Sequence, residues 1–189
     1  MSDVRRPLRA LSTVLIIAGV LMLSDAALTV AWQEPVSGSY AWVVQDRLGG
    51  DLRKLEAARP GSAELAALRA LEGDRRRIAF LARLLRRTAD RGDAVGRIRI
   101  PKINANFVVV DGTDTTSLRK GPGIYDEVPF PGAPGTTAIA GHRTTYLAPF
   151  RRVDQLARGD QITLEMPYAR LTYEVERKRI VAPNELSVV

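Results

Sequence analysis

The chain holds a single histidine, His142, placed where a short apolar run stops: Thr136-Thr137-Ala138-Ile139-Ala140, then Gly141-His142. Imidazole is the side chain best suited to moving protons near neutral pH, since its reference pKa is about 6.5. A lone histidine at a strand end serves either as a structural hydrogen-bonding residue or as a proton-transfer group. The setting here favours proton transfer. Ala138, Ala140 and Gly141 are small, so the strand end can lie close to a substrate, and turn-rich segments flank it on both sides. A nucleophile is the natural partner for such a histidine, yet the chain contains no cysteine. Disulfides, thiolate metal sites and thiol chemistry are therefore excluded for the chain as given. Asp111, Asp114, Asp126 and Glu127 are the remaining acidic candidates. Their spacing matches no calcium loop. They read as turn and cap residues, and neither a metal site nor a cofactor is expected.

The elements that must position His142 follow from the hydrophobic pattern. After Arg91-Gly92-Asp93 the composition shifts to strand and turn chemistry. Gly96-Arg97-Ile98-Arg99-Ile100 alternates and stops at Pro101, and Phe107-Val108-Val109-Val110 is β-branched and stops at Asp111-Gly112. Pro122-Gly123, Pro131-Gly132 and Pro134-Gly135 punctuate a long loop region before the run to His142. Beyond the Arg158-Gly159-Asp160 turn, Ile162, Leu164 and Met166 alternate with polar residues. Pro167-Tyr168-Ala169-Arg170 then turns the chain into Leu171, Tyr173 and Val175. This is the pattern of an antiparallel hairpin with one apolar face. The expected architecture is mainly β, a Greek-key-like sheet or barrel over residues 94–189.

Two segments precede it. Arg5, Arg6 and Arg9 stand before an apolar run from Ala10 to Trp32, long enough at about 1.5 Å per residue to cross a hydrocarbon core of about 30 Å. Asp25 is costly in lipid, so either it is protonated or the span lies towards Leu8–Leu23. The arginines put the N-terminal end in the cytoplasm. No small-x-small cleavage site follows the run, which favours an uncleaved anchor over a cleaved signal peptide. Residues 1–35 are thus expected to be a cytoplasmic N-terminus and single-pass transmembrane anchor, with the rest extracytoplasmic.

Residues 36–93 read as a helical stalk. Ala41, Val44, Leu48, Leu52 and Leu55 form one apolar stripe, weakened at Gly49-Gly50 and ended at Arg59-Pro60-Gly61. Ser62 is the expected cap of a second helix. In that helix Leu65, Leu68, Ile78, Leu81, Leu84 and Leu85 face one way, with Arg75, Arg76, Arg77, Arg83, Arg86 and Arg87 opposite. Such a stalk either lies on an anionic membrane or the barrel, or is an ordinary solvated hairpin. The formal net charge of +7 is spread along the chain and is not interleaved with aromatics in one stripe. Nucleic acid is therefore not an expected partner, and a basic surface beside an anionic envelope is.

The segment Pro134-Gly135-Thr136-Thr137-Ala138-Ile139-Ala140-Gly141-His142-Arg143-Thr144-Thr145 resembles the histidine motif of the sortases, cysteine transpeptidases of Gram-positive cell surfaces. Gly96 through Ile103 looks like the first strand and proline turn of that family. Leu118-Arg119-Lys120-Gly121-Pro122-Gly123 with Tyr125, and Phe150 through Gly159-Asp160, look like its following segments. Arg143-Thr144-Thr145 is most similar to the class E type of high-GC actinobacteria.

The resemblance implies a sortase-like antiparallel β-barrel that cleaves an LPxTG- or LAxTG-like C-terminal sorting signal through a cysteine thioester. The acyl group then passes to an amine of a peptidoglycan precursor or pilin. His142 takes the histidine position, and no residue is assigned as nucleophile, neither Ser187 nor Thr144. Arg143 is expected to orient a loop or face solvent, not to replace the family's arginine. In that family the cysteine and arginine follow the hairpin. Two further strands and a loop would take on the order of 30–50 residues, so the expectation is a truncated catalytic domain, inactive as given. The alternative is a non-catalytic, membrane-tethered β-domain that binds a peptide or envelope component.

Overall fold

A computed structural model describes residues 5–32 and 35–182, with side chains described over 11–27 and 39–182. Helices α1 (Arg5–Trp32), α2 (Pro35–Ala57), α3 (Ser62–Ala70) and α4 (Asp74–Thr88) come first. From Ala94 onward the chain is mainly β: β1 (Ala94–Ile100), β2 (Ala105–Asp111), the short helix α5 (Thr115–Lys120), β3 (Gly123–Ile124), β4 (Ile139–Ala140), β5 (Gln161–Met166) and β6 (Ala169–Glu174). The strands form one six-stranded sheet in the order β4-β3-β2-β1-β5-β6. All neighbours are antiparallel except β2 and β3, which run parallel.

The hairpin expected between Ile162 and Val175 forms as β5 and β6, with Leu164 opposite Leu171 and Met166 opposite Ala169 across the two-residue Pro167-Tyr168 loop. Side chains on β2 alternate between two cores, as strand geometry requires. Ala105 and Val109 face an inner cluster with Val95, Ile98, Ile100, Ile124, Phe130 and Leu164. Val108 and Val110 face an outer cluster with Leu48 and Leu52 of α2. The register of β1 shifts between Ala94 and Gly96, which lets Ala94 join the outer cluster while Val95 and Ile98 join the inner one. The sheet thus has a helix on its outer face and a core within its curl.

The expected α2 stripe packs as read. Ala41, Leu48 and Leu52 are buried, with Val44 and Leu55 partly so, and the helix continues through Gly49-Gly50. Gln45 adds a contact that hydrophobicity could not signal. Its Oε1 accepts from the Val108 amide at 2.7 Å, and its Nε2 donates to the carbonyls of Val108 at 3.1 Å and Lys120 at 2.8 Å. β3 pairs with β2 only at Val110 and Asp111, so this amide satisfies ladder groups that β3 does not reach.

Three expectations need correction. The second helix is two helices, because the chain breaks at Gly73, whose φ of +80° is one an L side chain adopts only under strain. Ser62 is not the cap but the first residue of α3, with Gly61 before it donating to Glu64 Oε2 at 3.0 Å. Arg86 does not decorate the solvent face. It bonds Asp111 Oδ1 at 2.6 Å and lies 5.1 Å over the Phe130 ring. Asp111 is 3% exposed, and burial pushes its carboxyl above the ordinary range against the opposing pull of Arg86. The long-range partner outweighs the local helical pattern.

Among the described residues, no helix is long and apolar enough to cross a membrane, so the expected transmembrane span is not found there. The side chains described on α1, from Leu11 to Ala27, include Leu11, Leu15, Val20 and Leu23, all exposed.

Candidate active site around His142

The strand that delivers His142 is shorter than the apolar run suggested. Only Ile139 and Ala140 pair, opposite Ile124 and Gly123. Gly141 then passes against the Phe150 ring. A methyl group there would stand 2.7 Å from two ring carbons, so only glycine brings the chain this close. The His142 carbonyl accepts from the Phe150 amide at 3.1 Å, which closes the loop from 142 to 150 on itself.

Inside that loop Tyr146, Leu147 and Ala148 have φ of 49°, 64° and 42°. Three consecutive non-glycine residues in the left-handed region are unusual, at about 1–2 kcal/mol each. Strain of this kind persists only where the surroundings over-determine it. The turn closes through the Ala148 amide to the Thr145 carbonyl at 2.8 Å. Two side chains at its start stand against the imidazole. Thr145 Oγ1 stands 3.1 Å from His142 Nδ1, and the Tyr146 ring lies 5.1 Å from the imidazole, centroid to centroid, tilted by 47°. Arg119 of α5 sits 5.7 Å over the other ring of this pair, Tyr146.

His142 is half-buried. Arg143 orients the loop, as one of its expected roles: it pairs with Asp154 at 2.7 Å and donates to the Arg151 carbonyl at 3.3 Å. Beside the loop lies an open apolar cleft of about 540 Å³, lined among others by Ile98, Ile139, Phe150, Ile162 and Tyr173. Ile139 precedes His142 by three residues, and Phe150 holds its carbonyl, so the cleft borders the imidazole's own support. His142 itself does not line the cleft; an imidazole held at Nδ1 and half-open to solvent can exchange protons with a group that reaches its free nitrogen.

The acidic candidates lie apart in role. Asp114 caps α5, accepting from the amides of Thr116 at 2.9 Å and Ser117 at 3.2 Å, and its bond from the Ser117 hydroxyl holds its carboxyl below the ordinary range. Asp111 pairs with Arg86, and Asp126 with Arg91 at 2.5 Å. Thr145, Tyr146 and Phe150 are the supports that residue-type reasoning did not assign a role. No turn residue in Tyr146-Leu147-Ala148 signals the left-handed path.

Residues 98–189 match a family model described as a sortase domain. Over 98 residues, 52% of this chain, the sequence is 40% identical to sortase D of Bacillus subtilis, and it spans 48% of that protein's length. Among solved structures, the fold is similar to a sortase D5 transpeptidase of Clostridium perfringens, with a TM-score of 0.51 and 23% identity over 61% of this chain and 79% of that one. It is likewise similar to a sortase C of the same organism, solved with the C-terminal cell wall sorting motif, with a TM-score of 0.51 and 22% identity over 67% of this chain and 79% of that one.

Proposed function

We propose, since this chain belongs to the sortase family through residues 98–189, that it carries the histidine half of a membrane-anchored cysteine transpeptidase site. His142 is its proton-transfer residue. In the reaction proposed, a cysteine thiolate attacks the threonine carbonyl carbon of an LPxTG- or LAxTG-like sorting signal. The C–N bond breaks, and the His142 imidazolium gives its proton to the departing amine, leaving a thioester. An amine of a peptidoglycan precursor or pilin then attacks the thioester. Neutral His142 takes the amine's proton as the thiolate leaves. An arginine stabilises the oxyanion in both halves. The chain has no cysteine, so by this reading it is inactive alone, and the thiolate and arginine come from sequence beyond that given.

The observation that carries the reading is the sole histidine, held by Thr145 and Tyr146 at a strand end. The test is a chain completed to the relatives' length. It should turn over sorting peptides and trap a thioester, and His142→Ala should abolish transpeptidation while the fold survives. Near-normal turnover in that variant would refute the role of His142. The chain as given should show none; turnover that depends on His142 would point to a different nucleophile.

We further propose that residues 1–35 anchor the chain in the cytoplasmic membrane, N-terminus inside, with residues 36–93 as an extracytoplasmic stalk and 94–189 as the catalytic segment outside. Support comes from Arg5, Arg6 and Arg9 in the first turns of α1, ahead of its apolar run, and from the large apolar side chains between Leu11 and Leu23, each 55–75% exposed. Protease added to intact spheroplasts should remove the part containing His142; full protection would refute this topology. A second reading is a non-catalytic, membrane-tethered β-domain that binds a peptide or envelope component. Peptide binding by the chain, with no thioester in its completed form, would select it.

A further inference from the structure

The contacts of His142 are one-sided. Its Nδ1 faces Thr145 Oγ1 at 3.1 Å, and one face of its ring meets Tyr146. Directly after Thr145 the backbone takes a left-handed path through Tyr146, Leu147 and Ala148. The turn has several independent ties: Ala148 amide to Thr145 carbonyl, Phe150 amide to His142 carbonyl, Arg143 to Asp154, and Arg119 over Tyr146. Such over-determination of a strained segment marks a feature held for its geometry.

We propose that Thr145 is a positioning residue that fixes the tautomer of His142: its hydroxyl accepts from Nδ1–H, so that Nε2 carries the lone pair in the neutral ring. This rests on the proton-transfer role given to His142 above. The chemical reason is continuity. In the imidazolium both nitrogens carry protons, so Nδ1–H must donate to Thr145 Oγ1. If the same bond persists in the neutral ring, only the Nε2 proton comes and goes, and neither ring nor hydroxyl turns over between the two halves of the cycle. With the opposite polarity, hydroxyl donating to Nδ1, the neutral ring would present Nε2–H and could not accept a proton from an amine there. The nitrogen hydrogen-bonded to a partner thus decides which nitrogen reacts.

Because His142 is the only histidine, the test is unambiguous on the full chain as given and needs no cysteine. The chain is labelled with ¹⁵N-histidine, and its long-range ¹H–¹⁵N spectrum is recorded about two pH units above the reference imidazole pKa of about 6.5. The expected spectrum shows a protonated, pyrrole-type Nδ1 and a pyridine-type Nε2. Thr145→Val should shift the ring towards the Nε2–H form, and Thr145→Ser should keep the original pattern. A pyridine-type Nδ1 in the unaltered chain overturns the proposal, and does so even where Thr145→Val fails to fold. An unchanged pattern in a folded Thr145→Val variant overturns it too. Failure of the completed chain to transpeptidate, with the tautomer as expected, would sink the sortase activity and leave the tautomer assignment standing. An active completed chain with the wrong tautomer would sink this inference alone.

Discussion

Replacing Arg86 with methionine tests whether α4 is fastened to the sheet by a buried ion pair. Methionine keeps most of the apolar stem against Phe130 and removes the charge. Asp111, with its side chain 5% exposed, would then lose the guanidinium now 2.6 Å away, whose own side chain is 23% exposed. Breaking a buried pair by deleting one partner costs about 3–5 kcal/mol, because the other charge is left unpaired. Partial access of water to Arg86 argues for the lower end, about 3 kcal/mol. Loss of the cation over Phe130 adds about 0.5–1 kcal/mol.

The pH dependence supplies the sharper test. Burial, the largest influence on Asp111, raises its pKa above 3.8, and Arg86 is the strongest influence opposing that rise. A raised carboxyl pKa means the folded state holds the proton more tightly than the unfolded chain. Its contribution is therefore fully present below pH 3.8 and is lost as pH rises through the folded value. Removing Arg86 pushes the folded value higher and widens that window upward. The deficit of Arg86→Met should be small near pH 4 and grow towards neutrality. At 1.36 kcal/mol per pH unit, a deficit of about 3 kcal/mol develops over roughly two units. The assay is hydrogen-exchange protection, corrected for intrinsic rates, at the amides of Gly92 and Asp111, which bond the Asp111 and Asp93 carbonyls. Adding Asp111→Asn should recover most of the loss and flatten the pH profile. Equal protection in wild type and Arg86→Met at pH 7, or a deficit that persists unchanged in acid, would refute the argument.

Three further outcomes are expected. Gln45→Leu should expose the Val108 amide to exchange and cost about 1–3 kcal/mol, the penalty for stranding buried backbone groups; unchanged protection at Val108 would mean the contact is idle. Gly141→Ala should push the Phe150 ring away, weaken its amide bond to the His142 carbonyl, and shift the His142 ring resonances; an unmoved imidazole would show that the close approach does not support the site. A fragment of residues 94–189 should bind the dye ANS and melt without a sharp transition. It leaves the β4 and β6 edges unpaired and also loses Leu48, Leu52 and Ala82 from the two cores. A sharply melting monomer would show that the helices contribute little.

What could be read in the sequence was whatever is periodic. The α2 stripe, the β-branched run of β2 and the β5–β6 hairpin each announce themselves because burial on one face repeats at the period of the element. What periodicity cannot name is the partner. Arg86 has the spacing of a solvent-facing arginine, and turns inward only because Asp111, far along the chain, stands across from it. Gln45 looks like any polar residue between apolar ones, yet it completes the ladder beyond the end of β3. The break at Gly73 was hidden because the apolar spacing on either side of it fits one continuous helix. In the site, His142 could be singled out by its type and by the small residues before it. Its supports could not, since Tyr-Leu-Ala carries none of the glycine or asparagine that usually marks a left-handed turn.

That hidden turn bears on how half of an active site can be well formed. Every contact described for His142 comes from residues 119–150: the β3 pairing that ends at Gly123, Thr145, Tyr146 backed by Arg119, and the Phe150 amide. The left-handed residues cost roughly 3–6 kcal/mol together. Against them stand two backbone hydrogen bonds at about 1 kcal/mol each, an aromatic contact of about 0.5–1.5 kcal/mol, and an exposed Arg143–Asp154 pair of at most about 1 kcal/mol. The two sides nearly cancel, so the turn is held by its surroundings and not by its own preference. A loop in this balance places its histidine through contacts within residues 119–150. The geometry around His142 is thus drawn from one stretch of the chain, and a substitution at Thr145, Tyr146 or Phe150 should disturb the imidazole without reaching the strands β1, β5 and β6.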